Sequence, residues 1–231
     1  RGSVYFMDKG GFYVYNGSVQ PLPCSVKEFV FSNINLGQAF KVFAAENNAF
    51  SEVMWFYPIG EGNTEVTNYV SYNYAENLWS VGTLDRGAWQ GVGTQNFPMA
   101  TSVNGGASTA NYLYYHENGF DDDGSAMNAF VESGDLELQE GERFMLVSRI
   151  IPDFAFSGLT SDASISMTMK GSDFPLETPT TLSTSTITNS STQSFIRARS
   201  RHQVVRIESS GLGYGWRLGD LRFDMRPDGR R

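Results

Sequence analysis

Short runs in which hydrophobic and polar residues alternate recur along the chain, and this two-residue period predicts β-strands. The first two runs, SVYFMD and GFYVYN, are joined by Lys9-Gly10 and followed by a turn signal at Asn16-Gly17. Paired runs around a glycine-containing turn are typical of β-hairpins. Apolar side chains are costly to leave in water, and no initiator methionine or polar lead-in precedes the first run. We therefore expect residues 1–24 to be a partial blade that continues from a missing N-terminal region.

The stretch from 41 to 84 carries the clearest strand pattern. Its apolar runs cover 41–46, 51–57, 66–74 and 78–84. Turn-forming residues separate these runs at Asn47-Asn48, at 60–63 and at 75–77. Short runs with a turn after each one predict an up-and-down antiparallel sheet of four strands, which is the layout of one propeller blade. Its tryptophans and tyrosines are expected to be ordinary core side chains.

Further strand-like runs follow in groups that repeat at roughly 50 residues. The predicted fold is therefore all-β, built from antiparallel four-stranded blade-like sheets as in a β-propeller or a propeller-like protein, with at most one short helix. Capping-box letters, SVKE at 25–28 and NLGQ at 35–38, place that helix in a connector. The predicted organisation is a partial blade at 1–24, a connector with a possible short helix at 25–40, blade-like sheets at 41–170, a Thr/Ser/Pro-rich arm or long hairpin at 171–194, and C-terminal strands and tail at 195–231.

The charge of the chain is distributed unevenly. The formal net charge is −8, yet residues 197–231 contain nine Arg against four acidic residues, whereas residues 1–196 contain eight basic residues against 21 acidic ones. Because affinity for phosphates comes from many cationic contacts, an acidic chain is a poor candidate for sequence-specific DNA binding. The single cysteine, Cys24, excludes an internal disulfide framework. No apolar run reaches the roughly 18 residues of a membrane helix, so no membrane span is expected.

Signatures of catalysis are missing around the two histidines. His116 and His202 fall in different predicted groups of strands, and neither has a G-x-S-x-G, H-E-x-x-H or comparable motif nearby. The GLGYGW stretch at 211–216 lacks the Lys-Ser/Thr and the βαβ context of a phosphate loop. It is better interpreted as a strand kinked by glycines, with Trp216 packed in a core. We therefore expect no catalytic activity and no cofactor.

Three consecutive aspartates, Asp121, Asp122 and Asp123, precede Gly124. An EF-hand loop needs its first oxygen ligands at alternate positions, so this spacing is wrong for calcium. A solvated hairpin tip accounts for the aspartates. We therefore expect no metal site here.

Arginines recur at a two-residue period in RARSR, at 197–201. In a strand this period places Arg197, Arg199 and Arg201 on one face, where three like charges are tolerated only against water, acidic groups or a partner. These arginines are therefore the candidate subunit-interface residues. A solvated strand edge and a contact with DNA are the alternatives.

Four stretches resemble a known family of proteins. They are EVMWFYP at 52–58, YNYAENLWSVGTLDRGAW at 72–89, RFMLVSRIIPDF at 143–154 and RIESSGLGYGWRLGDLRFDMRPDGRR at 206–231. Together they resemble the C-terminal part of a tail protein of tailed bacteriophages, of the kind found in short-tailed phages and related prophages. The most specific piece is the closing WRLGxxRxDxRPDGRR. The resemblance implies a chain that ends at or near its natural C-terminus and lacks hundreds of residues before its first one.

What the resemblance implies about function is a virion structural protein. Such a protein is a propeller-bearing nozzle or tail-tube component that assembles as a homo-oligomeric ring below the portal and adaptor, with other tail proteins as partners. DNA is ejected through the ring without sequence-specific binding, and an acidic lining favours passage because it repels phosphate. The competing interpretations are a carbohydrate- or receptor-binding β-propeller module, which would expose Trp or Tyr in repeated pockets, and an enzyme, which would bring a histidine or an acid pair into a cleft.

Overall fold

The computed structural model describes residues 2–103, 111–139, 141–158 and 163–229, and the chain separates into two compact units at 1–118 and 119–231. In both units the strands pair antiparallel in several small sheets. The predicted all-β, antiparallel class is confirmed, and the sheets are consistent with a propeller-like protein.

The connector contains the predicted short helix, α1 (Lys27–Asn33), followed by a 3-10 turn at Leu36–Lys41. The first capping box is not used as predicted, because Val26 is the N-cap residue of α1 and no side chain caps the helix. The second signal is used: the side chain of Asn35 accepts a hydrogen bond from the backbone N–H of Gly37 at 3.0 Å. A further 3-10 turn lies at Asn48–Phe50.

The described residues of the first unit form ten strands in three sheets. The strands are β1 (Val4–Asp8), β2 (Gly11–Tyr15), β3 (Val19–Leu22), β4 (Phe43–Asn47), β5 (Glu52–Tyr57), β6 (Asn68–Asn73), β7 (Leu78–Thr83), β8 (Arg86–Gln90), β9 (Met99–Ser102) and β10 (Leu113–Tyr115). Their sheet orders are β1-β2-β3, β4-β5-β6-β7 and β8-β9-β10. The second of these is the four-stranded meander predicted for residues 41–84, with β6 paired to both β5 and β7.

The meander is buried on both of its faces, which explains why its strands are so rich in aromatic residues. On one face, Trp55 and Tyr72 pack with Phe12 and Val30 from the preceding elements. On the other face, Met54, Phe56, Val66 and Val103 form a second cluster, against which Trp89 of β8 also packs. Side chains at successive positions of β5 point to opposite faces, so both cores take their central residues from one strand.

Where the structure describes the second unit, it contains twelve strands. They are β11 (Asp121–Asp122), β12 (Ser125–Ala126), β13 (Ala129–Glu132), β14 (Leu136–Glu137), β15 (Met145–Ile151), β16 (Phe154–Gly158), β17 (Ser164–Ser172), β18 (Thr180–Thr188), β19 (Ser194–Ser200), β20 (His202–Ser209), β21 (Tyr214–Leu218) and β22 (Arg222–Pro227). The larger sheets are β13-β20-β17-β18, with β14 also paired to β20, and β19-β15-β22. Two strand pairs, β11-β12 and β16-β21, complete the unit.

One hydrophobic core joins the two larger sheets of the second unit. Its buried side chains alternate along β15 and β19 of one sheet and along β17 and β20 of the other, as in Ile150, Ala198, Met167 and Ile207. The Thr/Ser/Pro-rich tract supplies β18, which forms a long edge hairpin with β17. The four-stranded layout of the first unit is not repeated here, because β19 and β20 follow each other in sequence but belong to different sheets.

Ion pairs around Glu132 connect neighbouring strands of the five-stranded sheet. Its carboxylate lies 2.6 Å from the Lys170 ammonium and 3.3 Å from the Arg206 guanidinium, which also pairs with Glu208 at 2.8 Å. The hydrogen bond from Lys170, followed by the one from Arg206, holds the pKa of Glu132 below its ordinary value. Three neighbouring strands are thus linked by one network of charges.

Substituting Glu132→Gln is expected to remove a pH-dependent part of the stability. Because the folded pKa lies below the unfolded value of about 4.3, the contribution is present above that pH and is lost as pH falls through the folded pKa. We expect the variant to be slightly less stable than the parent at neutral pH and to match it once the pH is below the folded pKa of Glu132, measured by urea unfolding. Asp220→Asn, at an exposed aspartate with no ion pair among the described residues, is the control and should give no such trend.

Candidate functional site

Strand β19 positions two of the three predicted interface arginines as expected. Along this strand Ile196 and Ala198 are buried in the core, while Phe195, Arg197 and Arg199 are exposed on the other side. Arg201 follows the end of the strand and is only half-exposed. The two-residue period therefore brings Arg197 and Arg199 together on one face, whereas Arg201 lies beyond it.

Arg199 and Arg201 are engaged within their own chain. The Nε of Arg199 donates to the Asp228 carboxylate at 2.6 Å, and its guanidinium lies 4.0 Å from the centre of the Phe144 ring. Arg201 donates to the backbone oxygens of Gly141 and Glu142 at 3.2 Å. These contacts fix the segment before β15 and the segment after β22, which gives both arginines a structural role.

Arg197 has a different environment. It is exposed, and within the described ranges it makes no hydrogen bond, ion pair or ring contact. An arginine side chain that is held by no neighbour keeps all five N–H donors available to a partner. Of the predicted arginines, Arg197 is thus the one available for an intermolecular contact.

Strand register places further arginines beside Arg197. In the three-stranded sheet Leu146 of β15 is opposite Arg199 on one side and Arg226 on the other. Arg149 is likewise opposite Phe195 and Asp224. The outer side of this sheet, which also carries Leu146, therefore includes a group of residues that we call the arginine face: Arg149, Arg197, Arg199, Arg222 and Arg226 together with Asp224 and Phe195.

The arginine face carries an excess of positive charge. Arg149 pairs with Asp224 at 2.7 Å, and Arg199 pairs with Asp228 at 2.6 Å. In the part of the chain that the structure describes, Arg197, Arg222 and Arg226 have no acidic partner. Phe195, which is opposite Arg149 and two residues from Arg197, is 74% exposed. An exposed aromatic ring beside arginines is a typical composition for a protein–protein contact.

Five members of the arginine face were not singled out from the sequence: Arg149, Phe195, Arg222, Asp224 and Arg226. Arg222, Asp224 and Arg226 alternate in RFDMRP, which is the same two-residue signal that RARSR carries. The alternation indicates a strand with a charged side, but it does not say which strand it pairs with. Arg149 has no local signal, because its position depends on the register of β15 with strands that come much later in the chain.

Among the described residues, the two histidines contact side chains of their own units. His116, in the first unit, lies over Trp89 with ring centroids 4.6 Å apart and accepts a hydrogen bond from Arg86 at 2.9 Å. His202, in the second unit, has its Nδ1 3.1 Å from the Glu137 carboxylate. Each histidine is thus part of the packing of its own unit.

The aspartate-rich stretch forms a tight hairpin turn between β11 and β12. Asp123 and Gly124 at the turn both have positive φ, of 49° and 81°, as a two-residue hairpin loop requires. The carboxylate of Asp121 accepts a hydrogen bond from the backbone N–H of Gly213 at 2.6 Å, which ties this turn to the GLGYGW stretch. Trp216 packs against the main core of the unit, as predicted. No three His, Cys, Asp or Glu side chains among the described residues are grouped to hold a metal ion.

No protein-family model matches the chain, and no curated protein matches it either. Within the described ranges, none of the helices has the length and apolar character needed to cross a membrane.

Proposed function

We propose that this chain is a non-catalytic structural protein of a phage tail, and that it forms part of a ring-shaped nozzle or conduit through which DNA is ejected. The observation that carries the proposal is the arginine face. Three of its arginines lack an acidic partner in the described part of an otherwise acidic chain, and the same face carries an exposed phenylalanine. A surface of this kind is suited to subunit contacts.

Some of the residues on which the phage-tail resemblance depends also lie on this face. In WRLGxxRxDxRPDGRR, the motif positions include Arg222, Asp224 and Arg226 of β22. The same motif provides Asp228, which pairs with Arg199. The resemblance and the candidate interface therefore support each other through a common set of residues.

Electrostatics favours ring assembly over DNA binding. The net charge of −8 is repeated in every copy, so a conduit made of several copies would repel the phosphates of passing DNA. Contacts between copies then need complementary patches, and the arginine face can meet an acidic surface of its neighbour. In the virion, the adaptor and other tail proteins would be the further partners of this ring.

The test is assembly of the purified full chain at increasing salt, followed by light scattering and electron microscopy. We expect rings at low salt that dissociate as ionic strength rises toward about 0.5 M, because screening weakens exposed ion pairs. The triple variant Arg197→Ser, Arg222→Ser, Arg226→Ser should need on the order of tenfold more protein to assemble, since each exposed pair contributes about 0–1 kcal/mol.

A matched control is Arg217→Ser, which removes an exposed arginine of β21 outside the arginine face. It should assemble like the parent chain. Arg199 and Arg201 are left intact, because their contacts within the chain would confuse an assembly defect with a folding defect. A chain that stays monomeric at every salt and protein concentration would contradict the proposed function.

A further inference from the structure

The long hairpin of β17 and β18 ends in an exposed apolar turn. We call residues 173–177, with the sequence DFPLE, the hairpin tip. Phe174 is 69% exposed and Leu176 is fully exposed. Leu176 also has a φ of +67°, a left-handed conformation that is uncommon for any residue other than glycine. The turn therefore holds two large apolar side chains in water, in a backbone conformation that costs free energy.

The hairpin tip is held in one shape by its own hydrogen bonds. The Glu177 carboxylate accepts from the backbone N–H groups of Asp173 at 3.0 Å and of Phe174 at 3.2 Å. The N–H of Glu177 returns a bond to the Phe174 carbonyl at 3.3 Å, and Pro175 restricts the backbone between them. A turn that is ordered before binding loses little entropy when it docks.

Negative charge surrounds the apolar side chains of the tip. Asp173 and Glu177 flank them, and neither carboxylate has an ion pair within the described residues. An anionic lipid surface or a nucleic acid would be repelled by this rim. The tip thus fits a protein surface that combines apolar area with positive charge.

The arginine face has that complementary composition. Phe195 supplies exposed apolar area, and Arg197 and Arg226 supply positive charge without acidic partners in the described part of the chain. A chain cannot dock its own tip there, because the inner side of the three-stranded sheet packs on the core shared with β17 and β18, so the arginine face points away from the hairpin. A second copy of the chain can supply the complement.

We propose that the hairpin tip of one copy docks on the arginine face of the next copy. Phe174 and Leu176 pack against Phe195 and the aliphatic part of Arg197, while Asp173 and Glu177 meet the guanidinium groups. Two different surfaces make this contact, so it is head-to-tail and generates a ring when the rotation closes. The inference rests on the proposed function and adds to it the partner surface of the arginine face.

The first test compares a tip variant, Phe174→Ser with Leu176→Ser, with a face variant, Arg197→Ser with Arg226→Ser. Each variant is expected to raise the protein concentration needed for assembly. For the tip variant the increase should be on the order of 100-fold, because two apolar side chains lose their buried contact. Leu212→Ser, which alters another exposed leucine of the same unit, is the control and should assemble normally. Circular dichroism and thermal melting confirm that every variant is folded.

The second test mixes the two variants. In a head-to-tail contact the face variant still offers a tip and the tip variant still offers a face, so the mixture should give 1:1 dimers that cannot grow. A mixture that stays monomeric, or a tip variant that assembles like the parent, overturns the docking proposal. If only the face variant fails to assemble, the proposed function stands and the tip is excluded as the partner, whereas a parent chain that never assembles rejects both.

Discussion

Phe56→Ala is expected to lower the free energy of unfolding by about 3–5 kcal/mol, the range found for large aromatic side chains removed from a core. Phe56 is completely buried in β5. Its ring stacks on Phe43 of β4 at 4.8 Å and lies 5.9 Å from Trp89 of β8, so it joins two sheets of the first unit. An alanine here leaves a cavity between those sheets, which the surrounding strands can fill only in part.

Urea unfolding of the full chain, followed by tryptophan fluorescence, measures this effect. Phe50→Ala is the matched control, because Phe50 is 52% exposed in the 3-10 turn after β4. We expect that variant to lose less than about 1 kcal/mol. Equal losses for the two variants would mean that Phe56 is not a central contact between the sheets.

Gln203→Glu is expected to destabilise the second unit by about 3 kcal/mol or more at neutral pH, because it places a carboxylate in a fully buried position. The Gln203 side-chain amide donates to the backbone oxygens of Met145 at 2.8 Å and of Ala198 at 3.2 Å. These bonds connect β20 to two strands of the opposite sheet. The carboxylate of the variant would have no N–H group to donate, and it would lie against two carbonyl oxygens.

The pH dependence of this variant has a definite sign. Burial raises the pKa of a carboxyl group above its unfolded value of about 4.3. The variant therefore loses the most stability at pH values above the folded pKa, and the loss becomes smaller as the pH falls through that pKa. Gln193→Glu makes the same substitution at an exposed position next to Arg149, where it should cost nothing. Urea midpoints of both variants between about pH 4 and 8 test the prediction. A loss that does not change with pH would show that the carboxylate reaches water.

The meander of β4 to β7 was predictable because every step in it is local. Each strand pairs with the next one in the sequence, and each turn is marked by Asn, Gly or Glu-Asn letters between apolar runs. The strand pairing in the second unit was not predictable from the sequence. Strand β20 pairs with β13, β14 and β17, whereas β19, its neighbour in the sequence, belongs to another sheet. Turn residues indicate where the chain reverses direction, but they do not indicate which strand the next strand pairs with.

The candidate interface shows the same division between local and distant information. The two-residue period of RARSR correctly indicated the exposed side of β19 for Arg197 and Arg199. It contained no information on Asp228 or Phe144, which engage Arg199 from remote parts of the chain. The hairpin tip had no sequence signal beyond a turn, because exposure of Phe174 and Leu176 depends on how far the hairpin extends from the core.

The pairing of β15 with β19 on one side and β22 on the other has a consequence for biosynthesis. A ribosome that has just made β15 must add more than 40 residues before β19 exists, and about 70 before β22 does. Contacts between strands so distant in sequence form slowly, because the loop between them must close first. The arginine face is therefore complete only after β22 has been made, and before β19 is made the central strand β15 has unpaired edges on both sides.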